Sequence, residues 1–346
     1  MGIPSYFSYI IKNYTNIIRS LKSFQSGSFD HLYMDCNSII YDAYYKIIQT
    51  DKASNMDIAE FETTIIQDVI TKIEHYIRYL QPTHTVYIAF DGVAPFAKME
   101  QQRTRRNKSH YLSNVPLFKK SSQWELSSIT PGTNFMNSLS KMINQHFLHS
   151  ENKYNVKKMI VSCSDEPGEG EHKLFSHLRN HSLGNDNVAV YGLDSDLIML
   201  SIFHLKYCNN IYIFREAPEF LKNSIPVDCQ GEDPHFVDIQ SLGRGILSHM
   251  NCKYSSDRRL YDYVFICFFL GNDFLPHFPA MNIRTHGIDV LLDIYNKYVG
   301  DHADAYFISE HNKIQWKYIS RFVNEIAKRE HEYLTQEYFV RDKFDH

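Results

Sequence analysis

Short apolar runs that end in carboxylates constrain the fold of this chain more than any other feature of its sequence. The run HLYMD ends at Asp35, TVYIAFD ends at Asp91, and VAVYGLDSD carries Asp194 and Asp196. Acids that follow buried strands are typical of a parallel sheet whose carboxyl edge carries an active site. Seven acids follow an apolar run or lie in a Gly-Pro turn: Asp35, Asp91, Glu169, Glu171, Asp194, Asp196 and Asp273.

A metal ion is the simplest means of holding so many carboxylates together. Two carboxylates about 4 Å apart repel each other by roughly 4 kcal/mol at an effective dielectric constant of about 20. A bound cation removes this repulsion, and hard oxygen ligands favour Mg²⁺ or Mn²⁺. The seven acids therefore predict a divalent-metal enzyme that acts on phosphates.

Each acid taken alone also has a purely structural explanation. About half of isolated D-x-D pairs, such as Asp194 and Asp196, are loop acids or helix N-caps. Glu169 and Glu171 in DEPGEGEHK are favourable at the start of a helix without any ligand, and Asp273 in GND is compatible with a simple turn. The recurrence of acids at successive element ends favours the metal site over these separate explanations.

A basic stripe begins seven residues after Asp91, in the segment FDGVAPFAKMEQQRTRR. A helix that starts after the proline places Lys98, Gln102, Arg105 and Arg106 at i, i+4, i+7 and i+8, which is one helix face. An ammonium, an amide and two guanidiniums on one face predict a pocket for a terminal phosphate, because Arg binds phosphate through two parallel hydrogen bonds. The alternative is a solvated basic face or a localisation signal.

Strand patterns alternate with helix patterns along the chain. Apolar residues at helical spacing predict a helix from Ile58 to Leu80 between the first two strands, so the chain contains βαβ units. We therefore expect an α/β fold with a mostly parallel central sheet flanked by helices, in a nuclease domain at 1–286. A helical C-terminal extension at 287–346 is expected to pack on the same domain. The predicted strands are His31–Asp35, Thr85–Asp91, Lys157–Ser164, Val188–Leu193 and Ile211–Arg215.

Composition excludes several classes of protein. A net charge of −4 over 346 residues is not that of a protein that coats nucleic acid by bulk electrostatics, so a polyanion needs a local basic patch. The six cysteines show no C-x-x-C pair, which favours reduced thiols in a reducing compartment. No secretory signal opens the chain, and the apolar run 263–270 is too short to span a bilayer. We expect a cytoplasmic protein (the host cytoplasm for a viral one), with the nucleus as the alternative.

Seven motifs occur in an order that identifies a family. They are MGIPSYF, DCNSIIYDAYY, FDGVAPFAKMEQQRTRR, TPGTNFM, DEPGEGEHK, YGLDSDLIML and FFLGNDFLPHFP. Together they closely resemble the N-terminal catalytic region of the Xrn family of 5′→3′ exoribonucleases, over essentially the whole chain. The resemblance implies a fold related to PIN-like and flap nucleases. It also implies hydrolysis of RNA from a 5′-monophosphate end to nucleoside 5′-monophosphates, in RNA or mRNA decay.

The resemblance also implies roles for individual residues. It assigns the seven acids to two Mg²⁺ ions, for which Mn²⁺ substitutes, and the basic stripe to the 5′-phosphate. Where the family usually has a histidine that stacks on a base, this chain has Tyr41, which either stacks similarly or belongs to the core. The family's second conserved region has no counterpart, so we expect a short form. Its partners would be single-stranded RNA and a decapping enzyme or other decay factor, and its oligomeric state is not predicted.

Three other functions compete with this interpretation. A flap-type or 5′ DNA exonuclease would carry a similar metal site, and motifs do not show the 2′-hydroxyl contacts that distinguish RNA. A catalytically weak RNA-binding short form that needs a partner is the second alternative. A phosphatase acting on small nucleotides is the third. The presence of all seven acids favours an active nuclease.

Overall fold

The computed structural model describes residues 2–14, 16–25, 27–50, 56–113, 124–216, 229 and 234–344. Its strands are β1 (Ile18–Arg19), β2 (His31–Asp35), β3 (Thr85–Ala89), β4 (Lys158–Ser162), β5 (Gly184–Tyr191), β6 (Cys208–Arg215) and β7 (His235–Asp238). Its α-helices are α1 (Tyr6–Asn13), α2 (Asn37–Ile48), α3 (Ile58–Leu80), α4 (Phe96–Ser113), α5 (Asn134–Phe147), α6 (Glu151–Tyr154), α7 (Gly170–His181), α8 (Asp196–His204), α9 (Ile239–Met250), α10 (Arg259–Cys267), α11 (Gly287–Tyr295), α12 (Trp316–Ala327) and α13 (Glu330–Phe344).

The chain divides into two compact units, each assembled from separate segments. The sheet unit comprises Lys22–Leu193 and Tyr207–Arg215. The helical unit comprises Met1–Leu21, Asp194–Lys206 and Glu216–His346. The boundary predicted at residue 287 falls inside the helical unit, and the division into 1–286 and 287–346 stays a prediction.

The sheet unit is built on parallel strands. The strand order is β6-β5-β2-β3-β4, and each of these pairings is parallel, with His31 opposite Thr85 on one side and Val188 on the other. All five predicted strands are present, with ends within four residues of the prediction, so the expected α/β fold with a mostly parallel sheet is confirmed. Parallel strands end at a common edge, and four of the predicted acids lie at the end of β2 or in the segments that follow β3 and β4: Asp35, Asp91, Glu169 and Glu171.

Helix α3 covers the span predicted from its apolar spacing, Ile58–Leu80. It begins where the Asp57 side chain accepts a hydrogen bond from the Glu60 N–H at 2.8 Å, which satisfies one of the donors left open at a helix start. It ends at Gln81, whose left-handed backbone closes the last turn. Its inward face packs against α2 and α5. The predicted core positions of this helix are all buried: Ile65, Ile66, Val69, Ile73 and Ile77.

The helical unit has a polar network within its core. The fully buried guanidinium of Arg259 donates to the Tyr295 hydroxyl at 2.7 Å and to the Ala305 carbonyl. Asp262, also fully buried, accepts from the N–H groups of Phe307 and Ile308 at 2.9 and 3.0 Å. The network satisfies charges that would otherwise be costly to bury. In the part of the chain that the structure describes, no helix is long and apolar enough to cross a bilayer.

Candidate active site

Two of the predicted acids lie at the carboxyl edge of the sheet unit, on neighbouring strands. Asp35 is the last residue of β2 and pairs in register with Ala89, the last residue of β3. Asp91 follows two residues later. The Cys36 N–H donates to the Ala89 carbonyl at 2.9 Å, which extends the pairing just past the strand end. Parallel pairing in this register therefore brings two carboxylates that are distant in sequence to one edge.

The Asp91 carboxylate is held by hydrogen bonds from two different loops. Its Oδ1 accepts from the Gly170 N–H at 2.7 Å, and its Oδ2 accepts from the Asn37 side-chain amide at 2.6 Å. The Asp91 N–H in turn donates to Asn37 Oδ1 at 3.0 Å. Burial raises the pKa of Asp91, the Gly170 N–H opposes this shift, and the nearby Glu169 carboxylate adds to it. The rise reflects a buried group that shares its surroundings with another negative charge.

The EGE segment at the start of α7 brings two further acids to the same place. Glu169 and Glu171 are both buried, on either side of Gly170. A side chain on Gly170 would place its Cβ only 2.6 Å from Asp35 Oδ1, so glycine allows α7 to approach the end of β2. Gly170 therefore contacts Asp35 and Asp91, and the structure groups four of the seven predicted acids around one glycine.

A salt bridge and a histidine complete this group of acids. Lys98 Nζ lies 2.5 Å from Glu169 Oε1, and the two side chains are 10% and 3% exposed. His172, which is not among the predicted site residues, places Nε2 3.8 Å from Glu169 Oε2 and from Glu171 Oε1. Burial lowers the pKa of His172, so its neutral form is favoured. The position of His172 in GEGEHK, next to two acids at a helix start, is the sequence signal that identifies it.

These side chains suit a hard divalent cation. The buried Glu169 Oε2 accepts no hydrogen bond from any residue that the structure describes, and a buried carboxylate oxygen without a donor is costly. Ligand atoms of Glu169, Glu171 and His172 lie within 4.8 Å of one another. Carboxylate oxygens are the ligands that Mg²⁺ and Mn²⁺ prefer in proteins. The sheet unit therefore contains a candidate acidic metal centre.

The basic stripe lies on α4, as predicted, but its first member turns toward the acids. Lys98 pairs with Glu169, whereas Gln102 is half-buried and both Arg105 and Arg106 are exposed. Arg106 Nη1 donates to Thr130 Oγ1 in a long hydrogen bond of 3.4 Å. Two guanidiniums therefore remain accessible on α4, and their role in binding a 5′-phosphate stays a prediction.

Tyr41 lies on α2, close enough to Asp91 for that carboxylate to affect its hydroxyl. Its side chain is 38% exposed, which contradicts the alternative that it is a core residue. Partial burial raises its pKa, the charge of Asp91 adds to the rise, and Arg105 and Arg106 oppose it. The Tyr41 hydroxyl is thus within electrostatic range of Asp91, a predicted metal ligand, and of the predicted phosphate-binding residues Arg105 and Arg106. Its stacking on a base stays a prediction.

The remaining three acids belong to the helical unit. Asp196 is the first residue of α8, and a Cβ on Gly2, whose φ is +57°, would lie 2.1 Å from Asp196 Oδ1. Gly2 therefore packs directly against Asp196, whereas Asp194 is exposed. Asp273 lies in a turn closed by Asn272, whose Oδ1 accepts from the N–H groups of Phe274 and Leu275 at 2.9 and 2.8 Å. The metal-binding role of these three acids stays a prediction.

Comparison with known proteins identifies the family. The family described as XRN 5′-3′ exonuclease N-terminus matches residues 1–217, and that described as Xrn1 helical domain matches residues 253–345. The chain is 31% identical to 5′-3′ exoribonuclease 1 of Saccharomyces cerevisiae, over 95% of this chain and 23% of that protein. It is 30% identical to 5′-3′ exoribonuclease 2 of Arabidopsis thaliana, over 96% of this chain and 40% of that protein.

The chain thus spans less than half the length of these two relatives. A solved structure of the catalytic core of Rad2 in complex with a DNA substrate aligns with a TM-score of 0.44 and 14% identity, over 95% of this chain and 81% of that chain. A score at that level does not establish a shared fold, so the relation to flap nucleases stays an implication of the family. The family match covers well over half of the sequence and includes the four acids grouped around Gly170. This chain belongs to the Xrn family of 5′→3′ exonucleases.

Proposed function

We propose that this chain is a metal-dependent 5′→3′ exoribonuclease that releases nucleoside 5′-monophosphates from RNA bearing a 5′-monophosphate. The observation that carries the proposal is the group of four acids around Gly170, with a buried Glu169 oxygen that accepts no hydrogen bond from the described residues. Such an arrangement is costly for a protein without a cation and is well suited to one that binds Mg²⁺. Family membership supports RNA as the substrate.

The acids would supply the ligands for two Mg²⁺ ions, and Mn²⁺ would substitute. In the sheet unit these are Asp35, Asp91, Glu169 and Glu171, and we propose Asp194, Asp196 and Asp273 of the helical unit as further ligands. The bound metal would supply a water of lowered pKa and would stabilise negative charge on the leaving oxygen. Because the metal itself would lower the pKa of the attacking water, no general-base histidine is required.

The other residues of the sheet unit would select and orient the substrate. Arg105 and Arg106 are exposed on α4, where each guanidinium is able to bind a terminal phosphate through paired hydrogen bonds. A 5′-hydroxyl would leave these cations without a partner, and a cap would exceed the space for a monophosphate. Tyr41 would stack on a base, an interaction worth roughly 1–3 kcal/mol. Lys98 would offset part of the negative charge of the acids through its contact with Glu169.

The test compares matched substrates in Mg²⁺. The purified chain is incubated with RNAs of one sequence that carry a 5′-monophosphate, a 5′-hydroxyl or a cap, and with a 5′-monophosphate DNA. Release of mononucleotides from the 5′-monophosphate RNA alone, lost with Glu169→Gln and with Asp194→Ala, is the expected result. Asp186→Asn is the matched control, because Asp186 pairs with His31 at the start of β2 rather than with the candidate metal centre.

Each other outcome points to a different function. Equal or faster loss of the DNA would indicate a 5′ DNA exonuclease. Binding of the 5′-monophosphate RNA without turnover would indicate a catalytically weak RNA-binding form that needs a partner. Release of inorganic phosphate from nucleoside monophosphates would indicate a phosphatase. Activity of Glu169→Gln equal to that of Asp186→Asn would overturn the assignment of the acids.

A further inference from the structure

Asn37 makes two hydrogen bonds to one residue of the candidate metal centre. It is the first residue of α2, two positions after Asp35, and its side chain faces the loop that follows β3. Its amide Nδ2 donates to Asp91 Oδ2 at 2.6 Å, and its Oδ1 accepts from the Asp91 N–H at 3.0 Å. One side chain thus fixes both the backbone and the carboxylate of Asp91.

The chemistry of the partners fixes the orientation of this amide. A backbone N–H is only a donor, so Asn37 Oδ1 must face it, and the Asn37 NH₂ is then left to face the ionised carboxylate. Asparagine carries its donor and its acceptor on separate atoms of one short side chain, so it bonds both groups of Asp91 at once. A leucine of similar volume would satisfy neither atom of Asp91. The contact therefore depends on the amide rather than on the space that it fills.

Two other contacts immobilise the surroundings of Asp91 without replacing Asn37. The Gly170 N–H donates to Asp91 Oδ1 at 2.7 Å, so it fixes the second carboxylate oxygen. Lys173 Nζ donates to the carbonyls of Phe90 and Cys163 at 2.9 and 2.8 Å, which holds the backbone just before Asp91. Without the Asn37 side chain, this backbone would stay in place. The Asp91 carboxylate would then be held only by the Gly170 N–H and would be free to rotate.

We propose that Asn37 is a positioning residue, which holds the Asp91 carboxylate in the orientation required of a metal ligand. A carboxylate offers about four lone pairs, and the two hydrogen bonds from Asn37 and Gly170 use two of them, so the others remain for a cation. Residues that orient a metal ligand typically contribute a factor of about 10 to 100 in metal affinity. This inference rests on the proposed function, because it assigns Asp91 to the metal centre.

The test measures Mn²⁺ binding to the chain in the absence of RNA. Calorimetric titrations compare the wild type with Asn37→Ala, Asn37→Leu and Asp91→Ala, and urea unfolding checks that each variant is folded. Asn187→Ala is the matched control, because Asn187 Nδ2 also donates within the sheet unit, to the Ser28 carbonyl at 2.7 Å, near the start of β2. We expect Mn²⁺ affinity to fall about 10- to 100-fold in both Asn37 variants and to be unchanged in Asn187→Ala.

The arms of the experiment separate failure of this inference from failure of the proposed function. If Asp91→Ala weakens Mn²⁺ binding and the Asn37 variants do not, Asn37 is not a positioning residue and the metal centre stands. If Asp91→Ala has no effect on Mn²⁺ binding, the metal assignment is wrong. In that case, hydrogen exchange of the Asp91 backbone amide tests the role of Asn37 separately. Unchanged protection of this amide in Asn37→Ala would overturn the inference. Lost protection would show that Asn37 holds Asp91 in place.

Discussion

Lys98 Nζ lies 2.5 Å from Glu169 Oε1, and this buried salt bridge joins the basic stripe to the acids. The sequence pattern assigned Lys98 to a phosphate pocket because it shares a helix face with Gln102 and two arginines. In the structure its ammonium faces a predicted metal ligand, while the arginines are exposed. Lys98 therefore reduces the net negative charge of the candidate metal centre.

Replacement of Lys98 by methionine tests this relationship. The variant Lys98→Met leaves the buried Glu169 carboxylate without its cation, so we expect the free energy of unfolding to fall by about 3 kcal/mol in EDTA. Saturating Mn²⁺ should recover part of this loss, because a bound divalent cation also neutralises the carboxylate and stabilises the folded state. Urea unfolding in the two buffers measures both effects.

The control for this experiment is Lys46→Met. Lys46 pairs with Asp68, but its side chain is 70% exposed, so its removal should cost less than about 1 kcal/mol in either buffer. An equal loss for Lys98→Met in EDTA and in Mn²⁺ would show that the lysine and the metal do not share a charge environment.

Gly170→Ala should separate activity from stability. Alanine favours a helix over glycine by roughly 0.5–1 kcal/mol, yet its Cβ would lie 2.6 Å from Asp35 Oδ1 and would displace that carboxylate. We expect kcat on 5′-monophosphate RNA to fall about 100-fold, because small displacements of catalytic groups are that costly. Single-turnover cleavage measures the rate of the cleavage step, and urea unfolding measures the free energy of unfolding.

Gly243→Ala is the matched control for Gly170→Ala. Gly243 lies within α9, and a Cβ there would meet only the flexible ends of Leu205 and Leu260 at 3.2 and 3.3 Å. Cleavage by Gly243→Ala should therefore resemble that of the wild type. If Gly170→Ala also cleaves normally, Asp35 is not required in its present position.

The double variant with Arg105→Gln and Arg106→Gln should lose discrimination between RNA ends. Each charge-assisted hydrogen bond to the phosphate contributes roughly 1.5–3 kcal/mol, so the ratio of kcat/KM for 5′-monophosphate over 5′-hydroxyl RNA should fall by at least about tenfold. Arg103→Gln is the control on the same helix, because its guanidinium already pairs with Glu100 at 2.5 Å. A ratio unchanged in the double variant would exclude the α4 arginines as the phosphate site.

His177 should make the stability of the sheet unit fall in acid. Burial, reinforced by the adjacent His181 ring, lowers the pKa of His177 to about 4, and its Nδ1 lies 2.7 Å from the Tyr33 hydroxyl. The folded state thus favours neutral His177, whereas the unfolded state takes up a proton below about pH 6.5. Stability from this group is present above pH 6.5 and is lost as the pH falls toward 4.

The variant His177→Asn retains an acceptor for Tyr33 but has no proton to gain. Urea unfolding between pH 7 and pH 4.5 should show a weaker decline in stability for His177→Asn than for the wild type. His331→Asn, on the exposed surface of α13, should keep the wild-type slope. An equal slope in His177→Asn and wild type would show that other groups cause the decline in acid.

The strands and the acids at their carboxyl ends were predictable because local patterns specify them. The apolar run predicted β2 to the residue, and regular apolar spacing predicted α3 with both of its ends. Parallel strands share one carboxyl edge, so acids at successive strand ends converge without further information. This reasoning placed Asp35 and Asp91 correctly in relation to each other.

Contacts made by single side chains were not predictable in the same way. Asn37 lies in the motif DCNS, and nothing in that motif shows that its amide meets Asp91, because the contact depends on the register between β2 and β3. The contact of Lys98 with Glu169 depends likewise on how α4 packs beside α7. The division into two units was also hidden, since each is assembled from segments that are separated in sequence.

The parallel order of the sheet also governs when the acids first come together. Parallel neighbours such as β2 and β5 cannot pair through a tight hairpin, and His31 meets Val188 only after the long segment between them has folded back. Closing such loops lowers the conformational entropy of the chain before the strand contacts can stabilise it. Sheets of this kind therefore form slowly and late in folding. A chain still emerging from the ribosome, with Asp35 made but Glu169 not yet synthesised, therefore holds no assembled group of acids. The group of acids around Gly170 therefore assembles only when the sheet itself forms, not residue by residue as the chain is made.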